Sequence, residues 1–238
     1  MLAGAFIGLG ALAFTLVASD SSLGFAASRI SGGVMFSLGL LLVSVAGAEL
    51  FTGNNLIAMA WAEGQVSTLE VLRNWCWVCL ANFVGAAGLA VLVAFSGHLQ
   101  LNGGQVGQTV MRIAVAKQNL ALDQAFLRGV LCNVLVCLAV WMAMGGRSVL
   151  DKAVAIVFPI TAFVAAGFEH SVANMYLIPL GMLFKAAAPD PQAAQYANLD
   201  WAGFAGNLIP VTLGNIVGGS GLVALVYWLC YLRDTPAV

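Results

Sequence analysis

Two long apolar runs in this chain are interrupted by the same polar pattern. Ala46-Gly47-Ala48-Glu49-Leu50-Phe51-Thr52-Gly53-Asn54 and Ala166-Gly167-Phe168-Glu169-His170-Ser171-Val172-Ala173-Asn174 both read A-G-x-E-x-x-x-x-N, 120 residues apart. The runs around them, residues 32–62 and 149–184, are each too long for one straight membrane crossing of about 20 residues. A break in hydrocarbon leaves backbone N–H and C=O groups unpaired, so it survives only inside protein or along a water-lined cavity. Broken helices at corresponding places in two halves of a chain point to a transport site. A second correspondence follows each break: Asn74, Asn82 and Gly85 share the spacing N-x7-N-x2-G with Asn207, Asn215 and Gly218, offset by 133 residues.

The surroundings make lipid the solvent. Of 238 residues 61% are hydrophobic and 8% charged, against roughly 25% charged in an ordinary soluble domain. Mean hydropathy is +0.96. Besides the two broken runs, apolar stretches cover residues 2–19, 71–95, 125–144 and 201–232, which makes six expected spans. Three spans per repeat is an odd number, so the second half enters the membrane from the opposite side. The expectation is an all-α membrane protein, one transmembrane domain over residues 1–238, with inverted repeats at about 1–97 and 122–234.

Between the spans lie a turn at Asp20-Ser21-Ser22, a Gly-rich stretch at 97–108 leading into an amphipathic segment ending at Lys117, and a loop with Pro189, Asp190 and Pro191. Arg233 and Asp234 mark the exit from the last span. No charged region precedes the first apolar run, which argues against a signal peptide. One side of the membrane receives Arg73, Arg147, Lys152 and Arg233; the other receives Arg29, Arg112, Lys117, Arg128 and Lys185. The second set sits mainly on a long loop, which counts for less, so the Arg73/Arg233 side is expected to be cytoplasmic. The net charge of −1 offers no polybasic surface to a nucleic acid.

His170 is one of two histidines, and the other, His98, lies in the polar loop. An ionisable residue within the membrane is a functional candidate by default. The plainer alternative is a structural histidine bonded to nearby backbone. Glu49 and Glu169 hold equivalent repeat positions, and an unpaired buried carboxylate is costly, so both are expected to accept hydrogen bonds from N–H groups freed at the breaks or to hold polar partners. The C-x-x-C of Cys76 and Cys79 has no second Cys/His pair, so it reads as small buried hydrophobes, as do Cys132, Cys137 and Cys230; no metal and no cofactor is expected. Trp75, Trp77, Trp201 and Trp228 read as interfacial or lipid-facing aromatics. Gly85, Ala86 and Ala87 permit close helix contacts.

The two broken motifs, together with Asn133–Trp141 (N-V-L-V-C-L-A-V-W) and Asn207–Gly219 (N-L-I-P-V-T-L-G-N-I-V-G-G), resemble the formate/nitrite transporter family over essentially the whole chain. Members usually carry an amphipathic segment before the first span, whereas residues 1–238 open directly on the apolar run at Leu2, a departure from the family pattern. The resemblance implies an aquaporin-like protomer, a homopentamer with one pore per protomer, and a bacterial inner-membrane location. It also implies two apolar constrictions, one of Leu40, Leu50 and Phe163 and the other of Phe36, Phe51 and Val136. Thr52 and His170 would lie between them, with Lys117 and Asn133 close by. Lys117 alone could be a snorkelling interfacial lysine; the resemblance implies that it draws an anion inward.

Such an arrangement suits small monovalent anions with protons as the other partner. A bare anion in an apolar constriction faces an idealised Born cost on the order of 20 kcal/mol, and several after relaxation. Protonating a carboxylate of pKa about 3.3–3.9 at pH 7 costs about 4–5 kcal/mol. A polar chamber with a histidine turns a desolvation problem into an acid–base one. Formate is expected first, with nitrite or hydrosulfide as alternatives. A neutral-solute pore of the aquaporin kind would carry N-P-A at the breaks, where Thr52-Gly53-Asn54 and Val172-Ala173-Asn174 stand instead. An enzyme would need clustered ligands or a nucleophile with its base, and a haem subunit paired histidines.

Overall fold

A computed structural model of the protein describes residues 1–187, 196 and 199–233. All regular structure among them is helical. The helices are α1 (Leu2–Ala18), α2 (Phe25–Leu41), α3 (Ala58–Ala62), α4 (Thr68–Phe95), α5 (Gln105–Gln118), α6 (Leu122–Met144), α7 (Val149–Ala166), α8 (Ser171–Ala187) and α9 (Trp201–Ile216). Wider π-helical turns continue α2 over Leu42–Gly47 and α9 over Val217–Leu225 and Trp228–Leu232. Helices that change hydrogen-bond register in this way often do so at functional sites.

Five stretches are long and apolar enough to cross a membrane: Phe25–Gly47, Thr68–Phe95, Leu122–Met144, Val149–Ala166 and Trp201–Leu232. Leu2–Ala18 and Ser171–Ala187 are shorter apolar helices. The second expected span therefore begins earlier than residue 32 and takes in Arg29. A charge is tolerated there because its guanidinium lies 5.5 Å from the Phe25 ring and lines a water-accessible cavity described below. The predicted turn at Pro189-Asp190-Pro191 and the terminal Asp234 lie outside the described residues.

Both expected breaks are present, and glycine makes each of them. Gly47 (φ +83) and Gly167 (φ +74) turn the chain into the left-handed region, which closes the preceding helix. Pro159, Pro179 and Pro210 sit inside helices α7, α8 and α9.

Matched glycines also set how close the long helices come. A Cβ on Gly85 would stand 1.9 Å from the Met1 carbonyl oxygen, and one on Gly218 2.2 Å from that of Val130. Gly85 is thus spent within the protomer, packing α4 on α1, and Ala86 beside it is fully buried. Four-carbon or branched side chains at these places would force the helices apart.

Candidate substrate path

The break after α7 is closed by groups from three directions. Phe168 N–H reaches back to the Phe163 carbonyl at 3.0 Å, and Glu169 N–H donates to the Arg128 carbonyl on α6 at 3.2 Å. Helix α8 then begins, and its orphan N–H groups need acceptors. His170 supplies one, because the Ala173 N–H donates to its Nδ1 at 3.1 Å. An imidazole nitrogen that accepts carries no proton, so in the neutral ring the proton resides on Nε2. That Nε2 meets Thr52 Oγ1 of the other break at 3.0 Å. Thr52 is fully buried and His170 3% exposed. The two breaks meet side chain to side chain.

Each break is held by a pair of asparagines in the same way. Phe51 N–H donates to Asn82 Oδ1 (2.9 Å), whose Nδ2 returns to the Glu49 carbonyl (3.0 Å). Ser171 N–H donates to Asn215 Oδ1 (2.9 Å), whose Nδ2 returns to the Glu169 carbonyl (3.0 Å). Asn54 Nδ2 bridges Glu49 Oε2 (3.0 Å) and Asn74 Oδ1 (2.9 Å); Asn174 Nδ2 bridges Glu169 Oε2 (2.7 Å) and Asn207 Oδ1 (2.7 Å). A side-chain amide offers a donor and an acceptor from one rigid plane, which is what a broken backbone with one free N–H and one free C=O requires. The asparagine spacing was legible in the sequence as a repeat; its task at the breaks was not.

The carboxylates differ in their surroundings. Glu169 is 4% exposed and pairs with Lys117 Nζ at 2.8 Å, while Glu49 is exposed and has no ion-pair partner among the described residues. Asn207 Nδ2 also donates to the Lys117 carbonyl at 2.8 Å, so the end of α5 is tied to the same cluster.

Asn133 on α6 closes the chamber. Its amide nitrogen lies 2.7 Å from the Asn215 carbonyl, 2.8 Å from Asn55 Oδ1 and 3.2 Å from the Thr52 carbonyl, while its Oδ1 is buried without a partner. Two of those three neighbours are backbone carbonyls, which fixes the amide orientation. Sequence reasoning missed Asn55, fully buried between Asn133 and Ser220, and Cys137, whose thiol contacts the Thr52 carbonyl at 3.3 Å.

Two cavities approach this cluster. The larger, of about 640 Å³, is lined by Arg29, Arg112, Lys117 and Arg128 with Asp20 and Glu169, and reaches inward to Phe36, Phe163 and Ala173. The smaller, of about 250 Å³, reaches Leu50, Gly53 and Asn54 and carries Lys152 at its wall. Thr52, His170 and Asn133 line neither cavity.

The apolar candidates Leu40, Leu50, Phe36, Phe51, Phe163 and Val136 are all buried at 4% exposure or less. Phe36 and Phe163, assigned above to different constrictions, pack edge to face at 5.6 Å and both line the larger cavity. Phe163 also lies against the His170 ring, with centroids 6.0 Å apart.

Trp75, Cys76 and Cys230 depart from expectation. Trp75 turns inward, and its indole N–H donates to the Asn54 carbonyl at 3.1 Å, so it serves the first break rather than the lipid boundary. Trp228 donates to Glu63. Cys132 and Cys137 are buried as expected, but Cys76 and Cys230 are exposed on the protomer, since the apolar helices there face outward. Among the described residues no three His, Cys, Asp or Glu side chains converge to hold a metal ion.

Apolar spans, two breaks meeting at buried polar side chains and a cavity on either approach define a multi-pass integral membrane transport protein. Its family follows from comparison: the formate/nitrite transporter model matches residues 1–229, and the chain belongs to that family. It is 41% identical over 241 residues to the formate channel FocA of Escherichia coli K12, covering 98% of this chain and 85% of the relative. To the formate channel FocA of Haemophilus influenzae it is 42% identical over 230 residues, covering 92% and 80%. Among solved structures it resembles a pentameric formate channel with formate bound (TM-score 0.89, 40% identity, covering 97% and 94%) and an FNT family ion channel (TM-score 0.83, 33% identity, covering 96% and 86%).

Proposed function

We propose that this protein conducts formate, and less selectively other small monovalent anions, through one pore in each protomer of a homopentamer in a bacterial inner membrane. The observation that carries the reading is the His170–Thr52 hydrogen bond at the meeting of the two breaks, enclosed between the two cavities. Similarity to formate channels, one of them pentameric with formate bound, supports the substrate and the assembly. The matched asparagine bonds at Glu49 and Glu169 support the division into inverted repeats at about 1–97 and 122–234 within one domain.

An anion enters the larger cavity past its cluster of cations, with Lys117 held at the inner end by Glu169. Phe36 and Phe163 at the larger cavity, Leu50 at the smaller, and the buried Leu40, Phe51 and Val136 exclude bulk water from the chamber. Inside, Thr52 and His170 Nε2–H are the donors that meet the anion. For the ring to act as acid it takes a second proton at Nδ1, giving up the cap bond to Ala173. It then passes the Nε2 proton to a carboxylate oxygen. A neutral acid and a neutral ring result, and the neutral acid crosses the apolar constriction at far lower desolvation cost.

Proteoliposome uptake of formate, nitrite, hydrosulfide and lactate, run in parallel, tests the reading. Formate is expected to enter fastest and lactate slowest. Equal exclusion of formate and lactate overturns it.

A further inference from the structure

The smaller cavity holds a charge whose purpose the reading above leaves unassigned. Its wall is formed by Val43, Leu50, Val140, Ala143 and Met144, and Lys152 is the only charged side chain among the described residues that line it. Lys152 is half-buried. Lys117 at the larger cavity is neutralised by Glu169, whereas Lys152 has no ion-pair partner among the described residues.

The local structure keeps it that way. Asp151 is the adjacent carboxylate, but its Oδ2 accepts the N–H groups of Arg147 and Ser148, both at 3.0 Å, as part of the cap that starts α7. That carboxylate is committed to the helix start. On the other side, a Cβ on Gly146 would stand 3.0 Å from Lys152 Cγ and 3.1 Å from its backbone nitrogen. The absence of a side chain at Gly146 lets the lysine stem lie against the loop. An ammonium beside apolar walls, without a carboxylate partner, interacts with a mobile anion more strongly than one in bulk water, because less solvent screens it.

We propose that Lys152 recruits the permeating anion into the smaller cavity, gathering formate or a similar monovalent anion ahead of Leu50. The inference rests on the channel reading above and adds an electrostatic determinant of entry from this side. The larger cavity, with several cations, is served separately, so the effect of Lys152 is directional.

Initial rates of isotope-labelled formate flux into and out of vesicles that hold the pentamer in one orientation test this. At about 10 mM ionic strength, where the screening length is about 30 Å, Lys152→Gln is expected to lower formate flux entering from the smaller cavity. The fall is roughly three- to ten-fold relative to flux in the opposite direction. Lys152→Glu deepens the asymmetry, and Lys152→Arg restores the wild-type ratio. At about 1 M ionic strength, where screening acts within about 3 Å, the variants converge on wild type. A merely structural lysine gives losses that are equal in both directions and insensitive to salt, and that result, or no change at all, overturns the proposal. Should Lys152→Gln fail to assemble, Lys152→Arg compared with Lys152→Met gives the same decision. A wild-type pentamer that passes no formate in either direction removes the channel reading, and this inference with it. A conducting wild type with direction-blind variants removes this inference alone.

Discussion

Leu50 and His170 stand at the same place in the two breaks. The carbonyl of Leu50 accepts the Asn54 N–H at 2.8 Å, and that of His170 accepts the Asn174 N–H at 3.0 Å. Each directly follows the glutamate of its motif. The backbone is therefore matched while the side chains are opposite in character, an isobutyl group on one side and an imidazole on the other. A single titratable ring at the centre, rather than two, follows from this one substitution between the halves.

Replacing that ring separates its two tasks. In His170→Asn the amide oxygen can still accept the Ala173 N–H, since asparagine is among the best N-cap residues. The fold is expected to persist, with a thermal midpoint near wild type. Acid-driven formate uptake should fall sharply, while current carried by the bare anion persists or rises. Uptake equal to wild type in a stable His170→Asn pentamer would refute the protonation step. His170→Leu also removes the cap, and should cost a further ~1 kcal/mol in stability.

Lys117 and Glu169 are expected to behave as a unit. Each single removal, Lys117→Met or Glu169→Gln, leaves the other charge buried and should destabilise by about 3–5 kcal/mol. The double variant should recover much of that loss, as neutral groups of similar size fill the site. Denaturation of the four proteins in detergent gives the coupling energy, and strict additivity would contradict a buried pair.

Helix approach at the matched glycines gives a stability contrast. Gly218→Ala and Gly85→Ala place a methyl within 2.2 Å or less of a carbonyl oxygen on the neighbouring helix, so both should lose stability by about 1–3 kcal/mol. Gly88→Ala, inside α4 with nothing within 4 Å, should leave it unchanged or raise it by up to about 1 kcal/mol. Thermal midpoints that fail to separate the two groups would show that the helices slide to accommodate the methyl.

Assembly is checked by native mass spectrometry of the detergent-released protein. A mass five times that of the 24.7 kDa chain is expected. A stable monomer or trimer excludes the pentamer.

The sequence by itself determined the solvent, the helical class and the places of both breaks. Lipid forbids unpaired backbone, so an apolar run interrupted by glycine and glutamate can only be a helix opened at a protected site. It also marked Asn74, Asn82, Asn207 and Asn215 as a repeat, because matched spacing survives in one dimension. What those amides do depended on tertiary structure. Asn82 reaches Phe51 and Asn215 reaches Ser171 across 31 and 44 residues of chain, and no local pattern encodes a contact at that separation. The same holds for the inward turn of Trp75, the packing of Phe36 on Phe163, and the tautomer of His170. Hydropathy records that a side chain avoids water, but not whether it meets lipid, a neighbouring helix or the pore; only the packing of the helices around the two breaks decides among these.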